Sequence, residues 1–122
     1  MKAMNGSREQ RYRAALRAAC AAGADILGSG GSALDAVEAA NVHMEDSGTF
    51  NAGLGSCLTA AGTIEMDAAL MNGEDRGFGS VAGICGVANP VRVARAVIVR
   101  APEGDLWVTR ATAPGAARIV GM

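Results

Sequence analysis

Apolar and polar positions follow two rhythms along this chain. Tyr12, Leu16, Ala19, Cys20, Ile26 and Leu27 recur near three- and four-residue steps, which predicts a helix over about 7–28. Ser7-Arg8-Glu9-Gln10 reads as its capping box and Gly28-Ser29-Gly30-Gly31 as its stop. Ser32-Ala33-Leu34-Asp35 opens a second helix by the same logic. Leu34, Val37, Asn41 and Met44 carry it to about Met44. A loop follows through Ser47 and Gly48 to Ser56. The rhythm then shortens. Ser56–Thr59 and Thr63–Met71 read as strands around a turn at Ala60-Ala61-Gly62, and Asn72-Gly73 begins the next turn. Phe78–Val87 alternates small and apolar residues with glycines, as a buried strand with close neighbours does. Asn89-Pro90 starts a short helix over Val91–Arg100, with asparagine as cap. Asp105–Thr109 is expected to be a strand and Ala113–Val120 a last short helix. Segregated helices and strands indicate an α+β or layered class in one domain.

Composition sharpens this picture. Half of the 122 residues are apolar, but only 3% are aromatic. Alanine-rich helices bury little area each, so they must pack closely, and the thin core suggests that the chain leans on a partner. The net charge of −1 lacks the basic footprint of a nucleic-acid binder. Arg8, Arg11, Arg13 and Arg17 read as a solvated helix face. Cys20, Cys57 and Cys85 are odd in number and widely spaced, which argues against a disulfide framework or a zinc site and for buried small hydrophobes. No apolar run reaches the ~20 residues of a membrane span, and no secretory leader is visible. A soluble cytoplasmic protein is expected.

Most candidate chemistry has a plainer structural reading. His43 is the lone histidine, so a Ser-His-Asp triad or a histidine metal site is hard to build. Gly28-x-Gly30-Gly31 follows a helix, the wrong context for a dinucleotide fingerprint. Glu65 and Asp67 fit acid–base work less well than they fit a structural role, with Asp67 a buried hydrogen-bonding group. The stretch Phe50-Asn51-Ala52-Gly53-Leu54-Gly55-Ser56 stands apart. Its backbone is lightly covered, so carbonyls from alternate residues can converge on a hard cation. Asn51 can offer its amide to an anionic centre formed in acyl transfer.

Three segments carry a family resemblance. They are GGSALDAVEAA (Gly30–Ala40), MEDSGTFNAGLGSCLTAAGTIEMDAALMNG (Met44–Gly73) and FGSVAGICGVANPVRVARAVI (Phe78–Ile98). Together they resemble the plant-type asparaginase and isoaspartyl peptidase family of N-terminal nucleophile (Ntn) hydrolases, over about residues 10–100. FNAG and IEMDAALMNG resemble this family more than its glycosylasparaginase cousin. MEDS and NPV are also similar to the threonine protease taspase. The resemblance implies a four-layer αββα sandwich of which this chain is the α-subunit half. It implies a precursor that cuts itself, leaving a threonine at the head of the β chain. That threonine is nucleophile, with its own amino group as base. Asparagine and β-aspartyl peptides are the implied substrates, and an (αβ)2 assembly the implied partner arrangement. A sodium ion is implied on the backbone carbonyls of Met44, Glu45, Ser47, Phe50, Ala52 and Leu54. Asn51 matches the asparagine that supports the oxyanion region.

The chain departs from the family pattern in several places. Over residues 1–122 it is expected to lack the family's first strand with its HGGAG-type loop, and the threonine-led β segment. Thr109 and Thr112 are poor substitutes for that nucleophile. Gly48 stands where proline is frequent, and Ala101-Pro102-Glu103 replaces a TPH stretch. Two classes of function stay open: a hydrolase component that works with its β chain, and a catalytically inactive remnant serving as an interaction module. A taspase-like protease is a further enzyme reading.

Overall fold

The structure is a computed structural model. It describes residues 6–98 in full, and the backbone of 99–100, 107–113 and 116–121. Helix α1 spans Gly6–Gly28 and α2 spans Ala33–Asp46. A single 3-10 turn occupies Gly53–Gly55. Strands β1 (Met66–Met71) and β2 (Phe78–Ile84) precede α3 (Pro90–Arg100), and β3 (Trp107–Ala113) and β4 (Ala116–Gly121) follow. This is a mixed α+β arrangement with small antiparallel sheets, β1–β2 and β3–β4.

Small residues let α1 and α2 approach closely, as the alanine-rich composition requires. Gly23 is buried against α2, and a Cβ there would stand 3.1 Å from the Ala36 carbonyl oxygen. The turn between the two helices satisfies the end of α1. Gly31 N–H donates to the Ile26 carbonyl and Gly30 N–H to that of Leu27, while Gly30 takes a φ of +82°. This is the Schellman arrangement, in which a glycine accepts the left-handed geometry at little cost. The expected capping box of α2 is present: Asp35 N–H donates to Ser32 Oγ, and Ser32 N–H donates back to the Asp35 carboxylate. Helix α1 begins at Gly6, so Ser7 lies inside its first turn rather than at its cap.

The main core forms where α3 lies on β1 and β2. Met66, Val81, Ile84, Ala94 and Val97 make one buried cluster. Leu70, Val91 and Ile98 make a second, which Leu34 and Val42 of α2 join. Gly79 admits this approach, because a Cβ there would meet the Ala94 carbonyl oxygen and Ile98. Strands β1 and β2 pair from Met71↔Phe78 to Met66↔Ile84, with a bulge between Met66 and Ala68. At that bulge Gly83 N–H donates to Asp67 Oδ1 at 2.7 Å.

Several expectations need correction. Residues 116–121 form strand β4, not a helix, paired with β3 from Trp107↔Gly121 to Ala113↔Ala116. Cross-strand pairing outweighs the helix propensity of alanine. Ser56–Thr59 is not a strand, and β1 begins at Met66 rather than Thr63. A local turn holds this stretch instead, with Thr59 N–H donating to the Thr63 carbonyl and Gly62 N–H to that of Thr59. Cys20 and Cys57 are exposed and Cys85 is half-buried; all three are free thiols. Asp67 is exposed rather than buried, although it is the structural acceptor expected of it. Among the described residues no helix is long and apolar enough to cross a membrane.

Candidate functional site

Three pieces of backbone build the loop after α2. Ser47 closes the helix: its N–H and its Oγ both donate to the Met44 carbonyl, the hydroxyl at 2.7 Å. Gly48 turns the chain with a φ of +62°. Gly53 then folds back under α2 with a φ of +55°. A Cβ at Gly53 would lie 2.6 Å from both the carbonyl oxygen and the Cβ of Glu45. At Gly55 a Cβ would meet the Phe50 and Gly48 carbonyls. Glycine is therefore required by close approach at both positions, and at Gly53 also by its left-handed backbone.

Asn51 sits exposed at the outer bend of this loop. Its Oδ1 accepts the Cys57 N–H at 2.8 Å. That bond engages the amide through its oxygen, and no hydrogen bond among the described residues uses its two Nδ2 protons. The group thereby becomes a positioned hydrogen-bond donor. Phe50 anchors the preceding residue by standing edge-on to Tyr12 of α1, with ring centroids 5.3 Å apart.

Glu45 is the residue whose side chain the sequence reading missed. It is 5% exposed and lies in the last turn of α2, with its carboxylate reaching the start of α3. Its Oε1 accepts the Val91 N–H at 3.1 Å. A carboxylate from a distant element thus satisfies one of the free N–H groups of α3 and meets its positive end. Asn89, expected as the cap, turns its Nδ2 to Asp46 Oδ1 at 2.9 Å instead. Burial pushes the Glu45 carboxyl above its ordinary value, opposed by the Val91 N–H and the Asn89 side chain. Its Oε2 is buried and has no hydrogen-bond partner. The only advance signal was an acid beside Asp46 at the end of an amphipathic helix, which does not reveal that its partner lies 46 residues away.

A cavity of about 220 Å³ opens beside this carboxylate. Met44, Glu45, Phe50, Ala52, Asp67 and Val91 are among its lining residues. Four of the six residues expected to bind a cation through their carbonyls therefore border one space. Ser47 and Leu54, the other two, do not line it, and Leu54 is 78% exposed. Among the described residues no group of three or more His, Cys, Asp or Glu side chains is placed to hold a metal. The loop's available donors are backbone oxygens and one buried carboxylate, the hard-oxygen type that suits alkali and alkaline-earth ions. His43 is exposed on α2 and Glu65 lies just before β1; neither lines this cavity. Arg95 ties α3 to α2 through Asp35 Oδ1 at 2.8 Å, away from the loop.

Comparison with known proteins gives this geometry a family. The sequence profile of the asparaginase family matches residues 1–116. An isoaspartyl peptidase/L-asparaginase from Bos taurus is 44% identical over 111 residues, covering 91% of this chain and 34% of the relative. The protein of that name from Xenopus laevis is 48% identical over 87 residues, 71% of this chain and 28% of the relative. A plant-type L-asparaginase from Thermococcus kodakarensis is 59% identical over 68 residues, 56% of this chain and 22% of the relative. The chain thus spans about a third or less of the length of the curated relatives it matches. Read with the glycine-bent loop and its fixed amide, the match over residues 1–116 means that this chain belongs to the asparaginase family.

Proposed function

We propose that this chain is the α-subunit portion of an amidohydrolase that cleaves L-asparagine or β-aspartyl peptides. The observation that carries the reading is the fixed amide of Asn51. Its oxygen is held by the Cys57 N–H, so its two N–H groups form a donor set in advance of any substrate. A donor oriented before reaction stabilises a developing oxyanion without reorganisation, which is how such groups accelerate acyl transfer. The names of the relatives from cattle, frog and archaeon support the substrate class.

In this reading the nucleophile is a threonine at the head of a β chain, as the family resemblance implies. Its hydroxyl oxygen attacks the side-chain carbonyl carbon of the substrate, and its α-amino group takes the proton. The carbonyl oxygen gains negative charge beside Asn51 Nδ2. Ammonia or an amine leaves, and water cleaves the resulting ester to release aspartate. The α and β parts would complete a four-layer αββα sandwich and pair into an (αβ)2 assembly. Exposed Leu54, Leu58 and Met71 are consistent with a chain that packs against more protein.

Sodium fits the loop chemistry. Of the six residues that the resemblance implies, Met44, Glu45, Phe50 and Ala52 border the cavity and would hold the ion through carbonyl oxygens, with the Glu45 carboxylate nearby, while Ser47 and Leu54 lie off it. The ion would supply a positive charge that offsets the repulsion between converging loop carbonyls.

The test is Asn51→Ala in the complete protein, assayed on asparagine and on a β-aspartyl dipeptide. Turnover should fall about 10²–10³-fold, the usual effect of losing one oxyanion donor. The urea midpoint should change far less. Wild-type turnover in the variant removes Asn51 from the site, and an unmodified protein that hydrolyses neither substrate removes the functional reading.

A further inference from the structure

We propose that Tyr12 is a positioning residue whose ring sets the placement of Asn51 through Phe50; this rests on the functional reading above. Tyr12 is half-buried on α1, and its ring meets Phe50 at an interplanar angle of 85° with centroids 5.3 Å apart. Such edge-to-face pairs contribute about 0.5–1.5 kcal/mol beyond area burial. The Arg8 guanidinium lies 5.8 Å from the Tyr12 ring centroid, a cation–π contact on the same aromatic group.

The pair matters because it ties the loop to α1, whereas the loop's other contacts described above run to α2 and within the loop itself. Its other large apolar side chain, Leu54, is 78% exposed. Phe50 is half-buried, and its carbonyl packs on the Cα of Gly55. Asn51 follows by one peptide bond, and its amide is then pinned by Cys57 N–H. A shift of the Phe50 ring therefore moves the backbone that starts Asn51, while Cys57 restrains only the tip. The docking of α1 on α2 through Ala19 and Gly23 lies two to three turns further along the helix. Removing the Tyr12 ring leaves that docking in place and releases the Phe50 side of the loop from α1. The contact uses the ring rather than the hydroxyl, so Tyr12→Phe preserves it.

The experiment compares the unmodified complete protein with its Tyr12→Ala, Tyr12→Leu and Tyr12→Phe variants. The readouts are kcat and KM for asparagine, and amide hydrogen exchange at Cys57 against Leu70 and Gly79 of the β1–β2 ladder. Tyr12→Leu keeps bulk and helix propensity should Tyr12→Ala fold poorly. The aromatic-free variants should lose about tenfold in kcat, since small misplacements of a catalytic group are costly, with KM changed less than about threefold. Cys57 exchange should quicken several-fold while Leu70 and Gly79 stay protected. Tyr12→Phe should restore both readouts. Unchanged Cys57 exchange, unchanged kcat, or a Tyr12→Phe variant as impaired as Tyr12→Leu overturns the proposal. If the unmodified protein hydrolyses neither substrate, the functional reading falls, and Cys57 exchange alone then decides whether Tyr12 fixes the loop.

Discussion

Replacing Gly53 with alanine tests whether the loop is held by a close backbone approach. A Cβ there would stand 2.6 Å from the Glu45 carbonyl oxygen and 2.8 Å from its carbonyl carbon. Ordinary contact begins near 3.4 Å, so the loop and the end of α2 must separate by several tenths of an ångström to about 1 Å. The helix cannot yield easily, because Glu45 also holds the N-terminus of α3 through Val91. The loop must move instead, and Asn51 is two residues away. Overpacking of this kind costs about 1–3 kcal/mol. The left-handed φ of +55° adds about 1–2 kcal/mol once a Cβ is present. A loss near 3 kcal/mol is expected in urea unfolding, with little change in m. Displacement of the amide by up to 1 Å should lower kcat on asparagine by about 10²-fold. Gly48→Ala separates the two causes. It shares a positive φ of +62°, but the nearest atom to a Cβ there is on the flexible Leu54 side chain at 3.8 Å. It should lose only the backbone contribution, about 1–2 kcal/mol. Equal urea midpoints for the two variants, or wild-type kcat in Gly53→Ala, would refute the close-approach argument.

Other expectations concern the scaffold. Ser32→Ala removes the cap of α2 and should cost about 1 kcal/mol in urea unfolding. Hydrogen bonds from Ser32, with the nearby Arg95 guanidinium, hold the Asp35 carboxyl below its ordinary value. The unfolded chain therefore takes up that proton first as pH falls. The Asp35 contribution is present above the ordinary carboxylate range and is lost as pH drops through the lowered native value. Asp35→Asn should accordingly show a shallower decline in stability below about pH 4 than the unmodified chain, measured by urea midpoints along a pH series. Val97→Ala opens a cavity in the α3–sheet core, where Val97 is 1% exposed, and should cost about 2–3 kcal/mol by the same measurement.

What could be read in advance divides by the range of the interaction. The extents of α1 and α2, and the capping box at Ser32, rest on contacts within a few residues, and they appear in the structure close to where the pattern placed them. Strand β2 was legible too, though it ends at Ile84 rather than Val87, where Gly83 and Gly86 take positive φ values. Residues 116–121 were misread because an alanine-rich segment favours helix locally, and pairing with β3 is a long-range fact. The start of α3 at Asn89-Pro90 was legible, but the side-chain partner of its first N–H groups was not, for a similar reason. Asn89 has the right chemistry beside the helix, but a buried carboxylate from α2 reaches Val91 instead.

The candidate loop follows the same division. The sequence shows Asn51 and its glycines, because residue type and spacing are local. It does not show that Cys57 N–H engages the amide oxygen, nor that Tyr12, 38 residues earlier, meets Phe50. Those two contacts convert a flexible glycine-bent loop into one with a defined donor direction. A side chain held by one neighbour through its oxygen and by another through the preceding ring can rotate little without breaking one of them. The glycines give the loop its shape, and the donor direction comes from two contacts made outside the quoted motif. Substitutions at Tyr12 or Phe50 should therefore disturb Asn51 more than substitutions at Leu54, which lies three residues beyond it and is 78% exposed.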